Sequence, residues 1–265
     1  MKNTVWAGVS VLALCVSAPA LAQDNDSTVT QTGAGNTATV AQPGSGNDSL
    51  VTQDGLATGV DGIANEATIT QEGTDGYSEL EQFGDNQATV TQTATSVNMA
   101  SEIDQDNGGG DSNSASVTQS GTGSGVGSGT GSFIDQLASQ GGSAIVTQGA
   151  GTVDAVSLIL QSGTDNTANV NQDAGTNATS FVVQDGSDQS ATVFQSGDDN
   201  FSDISQSNDS NSADIFQSDA GNSSFATQSG TDGLIDVDQT GTNSTSTVTQ
   251  TGELARATVS QSGDN

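Results

Sequence analysis

Glutamine returns along this chain at an almost fixed interval. Gln261, Gln250, Gln239, Gln228, Gln217, Gln206, Gln195 and Gln184 lie 11 residues apart, and Gln172 lies 12 before the last of them. The series continues back through Gln161, Gln148, Gln136, Gln119, Gln105, Gln92, Gln82, Gln71, Gln53, Gln42 and Gln31, which makes 20 anchors. A short fixed period is the mark of a repeat architecture, in which each unit buries its apolar face only against neighbouring copies of itself. The interval stretches to 18 between Gln53 and Gln71 and to 17 between Gln119 and Gln136, so longer irregular turns are expected near residues 54–64 and 120–131.

Aligned on these glutamines, the units share the pattern Asn-x-Ala/Ser-x-Val/Ile-x-Gln-x-Gly. Copies include Asn36-Ala38-Val40-Gln42-Gly44, Asn65-Ala67-Ile69-Gln71-Gly73, Asn113-Ala115-Val117-Gln119-Gly121 and Asn200-Ser202-Ile204-Gln206. Fixed residues alternate with variable ones, and a period of two describes a β-strand with one buried face. Gly, Asp and Asn then cluster, as in Gly163-Thr164-Asp165-Asn166, and supply turns. One such strand buries too little apolar surface to be stable alone, so each strand is expected to pair with the one two units along. The predicted fold is all-β: a two-sheet, cross-β, amyloid-like β-solenoid of about ten stacked strand-turn-strand rungs, roughly 47 Å tall at the usual strand spacing. Odd units form one sheet and even units the other.

A buried amide is costly unless its hydrogen bonds are made. In a stack of like units each amide can bond the equivalent amide above and below, which is how cross-β assemblies use Gln and Asn. The residues expected to form such ladders are Gln31, Asn36, Gln42, Asn47, Gln53, Asn65, Gln71, Gln119, Asn166, Gln172, Gln195, Asn200, Gln206, Asn211, Gln217, Asn222, Gln228, Gln239, Gln250 and Gln261. Small Ala and Ser beside the larger Val and Ile let two sheets close to about 10 Å.

Composition decides what else the chain can do. It holds 32 acidic residues against two Lys and Arg, a formal net charge of −30. Neutralising phosphates requires many cations, so nucleic acid is excluded as a partner, and an anionic membrane surface is disfavoured for the same reason. Beyond residue 22 there is no Lys, His or Cys. Ser-His-Asp triads, thiol nucleophiles, Schiff bases and Cys/His zinc sites are therefore absent by inventory, and the chain is not expected to be an enzyme. The Asp residues follow turn phase rather than converging on a cleft. They lack the Gly-Gly-x-Gly-x-Asp repeat of calcium β-rolls, so no cofactor is expected and only weak calcium contact remains open.

The first 22 residues read as a secretory signal peptide. Lys2 gives the positive start, Val9 to Val16 the short apolar core, and Ala20-Leu21-Ala22 the cleavage site. A lipoprotein reading would acylate Cys15, but Leu14 stands where a small residue is needed. No other apolar run is long enough to insert in a membrane. Residues 23–265 are then the exported repeat region.

The repeat resembles that of the curlins, Ser-x5-Gln-x-Gly-x-x-Asn-x-Ala-x3-Gln. Gln31, Gly33, Asn36, Ala38 and Gln42 follow it, with Asn25 in place of the leading Ser, and so do Gln161, Gly163, Asn166, Ala168 and Gln172. The resemblance implies a subunit of an extracellular curli-type pilus on a bacterial surface, polymerising with itself and supporting adhesion, aggregation and biofilm matrix. It further implies a nucleator subunit and an outer-membrane export apparatus as partners. This chain departs from the pattern in having about twice the usual five rungs and only Gln23 and Asp24 between leader and first unit. Ala94 and Ala138 replace Gly, and Thr130 replaces Asn.

The outward positions, three and one before each Gln, are uneven. Glu79, Glu81, Glu102 and Asp104 should stack as a carboxylate block, either a solvated face or a brake on polymerisation. Leu158, Leu160, Phe181 and Val183 should form an apolar patch. Two rival readings keep the solenoid monomeric. An ice-binding protein would present Thr-x-Thr on one face, and such pairs occur at Thr28/Thr30, Thr68/Thr70, Thr89/Thr91 and Thr247/Thr249. An adhesin stalk would need a cap to cover its pairing edges, whereas the last unit ends close to Asn265.

Overall fold

A computed structural model describes residues 24–55, 64–108, 110–123 and 131–263. The leader, most of the two long turns and Thr130 lie outside the described residues. Within them there is no helix. The strands are β1 Asp26–Thr32, β2 Thr37–Ala41, β3 Asp48–Asp54, β4 Glu66–Gln71, β5 Tyr77–Phe83, β6 Asn86–Gln92, β7 Ala100–Asp106, β8 Asn113–Gln119, β9 Gly131–Leu137, β10 Ser139–Gln140, β11 Ser143–Val153, β12 Val156–Thr164, β13 Thr167–Thr176, β14 Thr179–Ser187, β15 Ser190–Ser196, β16 Phe201–Asp209, β17 Ser212–Gln217, β18 Ser223–Gln228, β19 Leu234–Gln239, β20 Thr245–Gln250 and β21 Arg256–Gln261.

These strands make two sheets. One runs β1-β3-β5-β7-β9-β12-β14-β16-β18-β20, with the two-residue β10 beside β12, and carries the odd units. The other runs β2-β4-β6-β8-β11-β13-β15-β17-β19-β21 and carries the even units. Neighbours are parallel and hold like residues opposite like: Gln31 pairs with Gln53, Ser180 with Ser202, and Ala191 with Ala213. The chain is thus a two-sheet β-solenoid whose coils each contribute one strand to either sheet.

The core is a set of columns. Leu80, Ile103, Ile134, Ile159 and Val182 run up the odd sheet and face Val90, Val117, Val146, Val170 and Val193 of the even sheet, all almost completely buried. The small position beside them is sorted by sheet. It is Ser in the odd sheet, as at Ser78, Ser101 and Ser132, and mostly Ala in the even one, as at Ala88, Ala115 and Ala144.

Where the spacing departs from 11, the ladder absorbs the difference locally. Gln172 to Gln184 spans 12 residues, and the extra residue enters as a β-bulge between Gln172 and Ala174, where β13 meets β15. Pairing also runs further into the turns than a short-strand reading implies, so that Ser162, Gly163 and Thr164 of β12 continue against Asp185, Gly186 and Ser187 of β14. Gly163 has φ +98, and a Cβ there would collide with the carbonyl of Gly186. Ala138, which occupies this turn position in its own unit, takes φ 53 despite its side chain, a conformation that costs a non-glycine residue about 1–2 kcal/mol.

Candidate assembly site: glutamine ladders and open ends

The inward phase places each repeat Gln at the end of its strand, facing the start of a strand in the opposite sheet. Its Nε2 makes two kinds of bond. One hydrogen goes to Oε1 of the Gln one coil further along: Gln31 to Gln53, Gln53 to Gln82, Gln161 to Gln184, Gln184 to Gln206, Gln206 to Gln228 and Gln228 to Gln250 in the odd sheet, at 2.7–3.1 Å across the whole column. The even sheet repeats this from Gln42 through Gln71, Gln119, Gln172, Gln195, Gln217 and Gln239 to Gln261, at 2.7–3.1 Å. The other hydrogen crosses the core to a backbone carbonyl, as from Gln195 to Thr179, Gln206 to Ser190 and Gln217 to Phe201. Each interior glutamine therefore ties its own sheet lengthwise and the two sheets to each other.

The asparagines of the motif behave differently. Apart from one contact, Asn65 Nδ2 to Asn36 Oδ1 at 3.3 Å, they bond backbone rather than each other. Asn200 donates to the carbonyls of Ser196 and Asp219, Asn211 to Ser207 and Gly230, Asn222 to Ser218, and Asn166 to Ser162 and Gly186. Their Oδ1 atoms accept the amide N–H one coil on: Asn222 from Ser244, Asn200 from Asn222, Asn166 from Gln189, Asn47 from Gly76 and Asn36 from Asn65. The physical reason is position: this Asn sits where the chain leaves the turn, and its amide meets the turn carbonyls there. These residues are turn clamps, stacked coil on coil.

Three residues outside the expected set hold the same place. Asn25, Asn86 and Asn113 accept the amides of Asn47, Asn113 and Gly142. Gln189 also occupies the Asn phase and bonds the carbonyls of Asp185 and Asn208. All four lie six residues before a repeat Gln, which is the signal that identifies them.

Among the described residues the end coils are open: no strand pairs with the outer edges of β1 and β2 or of β20 and β21. Val29, Val40, Ala257 and Val259, at core phase, are only partly covered there. The polarity of the ladders makes the two ends complementary. Gln31 and Gln42 donate to the second coil, so in the same polarity their Oε1 atoms are the acceptors for a coil placed before them. Gln250 and Gln261 each use one Nε2 hydrogen on a carbonyl, of Leu234 and Thr245, and have the other directed at the next coil position.

The outer faces set the electrostatics. On the odd sheet Glu79 lies directly opposite Glu102, and Glu81 opposite Asp104, which in turn faces Asp135. Burial, and then the neighbouring carboxylates Glu81 and Asp135, push Asp104 up to about 6. Burial also raises Glu102, helped by Glu79 and Asp135. A hydrogen bond from Tyr77 to Glu79 at 2.6 Å, followed by burial, lifts the phenol to about 12. Beyond the acidic block Leu158 stands opposite Phe181 and Leu160 opposite Val183. The Thr-x-Thr pairs form no single face: Thr68/Thr70 and Thr89/Thr91 adjoin on the even sheet, whereas Thr28/Thr30 and Thr247/Thr249 sit at opposite ends of the odd one.

No curated protein matches the chain. The model of the curlin associated repeat matches residues 22–55, which take in β1 to β3, and residues 175–207, which take in β14, β15 and most of β16. Those two stretches, each one coil and the beginning of the next, support assigning the chain to the curlin-repeat family.

Proposed function

We propose that this chain is the structural subunit of an extracellular curli-like fibre on a bacterial surface, and that the fibre grows as the last coil of one copy receives the first coil of the next. The family is one of structural, extracellular fibre components rather than enzymes. The observation that carries the finer reading is the complementarity of the open ends. Stacked head to tail, Gln250 and Gln261 donate to Gln31 and Gln42 of the next copy, and both amide columns run on without a break. An even number of units keeps odd sheet on odd sheet across the joint. The repeat-phase Gln and Asn residues are then the assembly device as well as the internal one, because the bonds that hold coil to coil also hold copy to copy.

On this reading residues 1–22 direct export and residues 23–265 form the fibre-building region. An outer-membrane export apparatus and a nucleator subunit are its partners, and adhesion, aggregation and biofilm matrix its roles. The test is direct: purified chain should start soluble and, after a lag abolished by preformed seeds, give fibres diffracting near roughly 4.7 Å and 10 Å. A folded chain that stays monomeric for weeks at high concentration would overturn the fibre reading in favour of an adhesin stalk.

A further inference from the structure

On the outside of the odd sheet a carboxylate block and an apolar block meet end to end. Along the axis, the position three before Gln reads Glu79, Glu102, Phe133, Leu158, Phe181, while the position one before reads Glu81, Asp104, Asp135, Leu160, Val183. The junction is a groove of about 380 Å³, floored by Phe133, Val156, Leu158, Leu160 and Phe181 and ended by Glu102, Asp104 and Asp135. Oδ1 of Asp104 is shut off from solvent there and has no hydrogen-bond partner. A desolvated carboxylate oxygen without a donor is unfavourable, and burial together with its neighbours holds Asp104 up to about 6. Among the described residues no Lys or Arg relieves it: Arg256, the sole cation beyond residue 2, starts β21 in the opposite sheet.

The geometry points to a binding site for a free small amphipathic cation, its ammonium or guanidinium head against Asp104 and Asp135 and its apolar body along the axis over Phe133, Leu158 and Phe181. Charge and shape select this occupant. A second copy of the chain brings a formal charge of −30 to an already acidic rim, and like charges across an interface are strongly disfavoured. The volume falls at the lower end of the range for small-molecule sites, below what a folded partner would fill. From the Phe133 strand to the Phe181 strand is two strand spacings, about 10 Å, which suits a medium-length hydrocarbon tail or a pair of rings. Phe181 is steadied by an edge-on contact with Phe201, centroids 5.7 Å apart, so the floor is formed before any ligand arrives.

The test is equilibrium dialysis of decylammonium, below its micelle concentration, against the full chain at neutral pH. One saturable site per chain is expected. Asp104→Asn with Asp135→Asn should weaken it about tenfold. Asp236→Asn with Asp238→Asn, which removes the same charge from the even sheet, should change it less than about twofold. Butylammonium should bind at least about tenfold more weakly because most of the apolar contact is gone, and decyl sulfate should not saturate. Equal weakening by the two Asn pairs would mean bulk charge attraction and would overturn the site. So would binding that ignores tail length, or decyl sulfate binding as well as the cation. Circular dichroism of both isosteric pairs separates lost binding from lost fold.

Discussion

Replacing Gln206 with Leu tests the amide ladder where the repeat is most regular. Gln206 is 1% exposed. It accepts from Gln184 at 2.9 Å and donates to Gln228 at 2.8 Å and to the Ser190 carbonyl at 2.9 Å. Leucine has similar volume, so the cavity cost is small and the change falls on hydrogen bonding. Three groups lose their partner: one N–H of Gln184, Oε1 of Gln228 and the carbonyl of Ser190. At about 1–3 kcal/mol for each buried unsatisfied group the loss is about 3–9 kcal/mol. Burying the leucine returns about 2 kcal/mol. The expected net destabilisation is about 4 kcal/mol, within a range of about 1–7 kcal/mol. The assay is urea unfolding of soluble chain followed by circular dichroism. Ser205→Ala, on the outward face of the same strand, should stay within about 0.5 kcal/mol. A Gln206→Leu chain as stable as the parent, or a Ser205→Ala chain equally damaged, would show that the amide column does not hold the coils together.

Further expectations follow from the turns, the charges and the ends. Gly197 has φ +102, and a Cβ there would strike the carbonyl of Asp219, so Gly197→Ala should cost more than about 2 kcal/mol in the same assay. Ala138→Gly, at φ 53, should stabilise by up to about 1 kcal/mol. Asp104 is held near 6 against an ordinary 3.8, so the folded chain keeps its proton more tightly than the unfolded one. Stability should therefore rise as pH falls from about 6 towards 4, by about 1.5 kcal/mol once the shift is halved for solvent exposure, and Asp104→Asn should remove that increment. Added salt should shorten the lag before fibres appear, because screening confines carboxylate repulsion to about 8 Å. A lag indifferent to added salt would rule out electrostatic braking.

The fold was legible because in-register stacking leaves the chain little freedom. Once strand pairs with like strand, a residue such as Gln, which needs its own kind above and below, must keep one phase, and that phase sorts inward from outward positions. The same logic placed Glu79 opposite Glu102 and Leu158 opposite Phe181. What the pattern does not carry is the partner of each polar group. Gln holds its phase in all 20 units and Asn its own in only ten, and where Asn stands its amide goes to turn carbonyls, so the Asn clamps emerge from turn geometry. Gln189 was hidden for a related reason: as a glutamine outside the Gln phase it looks like noise until its register with Asn166 is seen. The bulge after Gln172 was visible only as a spacing of 12, which does not say which residue is set aside.

In the proposed fibre, copies join head to tail, last coil on first. Thr30 lies at the outward phase of β1 and Thr249 at that of β20, and Thr249 already stands opposite Thr227 within the chain. In a head-to-tail fibre Thr249 of one copy stands opposite Thr30 of the next at the same strand spacing, about 4.8 Å. Chains carrying Thr30→Cys and chains carrying Thr249→Cys, each with Cys15→Ser so that no other thiol is present, are assembled together and treated with a short bismaleimide. Head-to-tail stacking predicts cross-links between the two kinds of chain and none within either kind. Cross-links confined to Thr30→Cys pairs and Thr249→Cys pairs would mean that the ends meet like to like, and would contradict it.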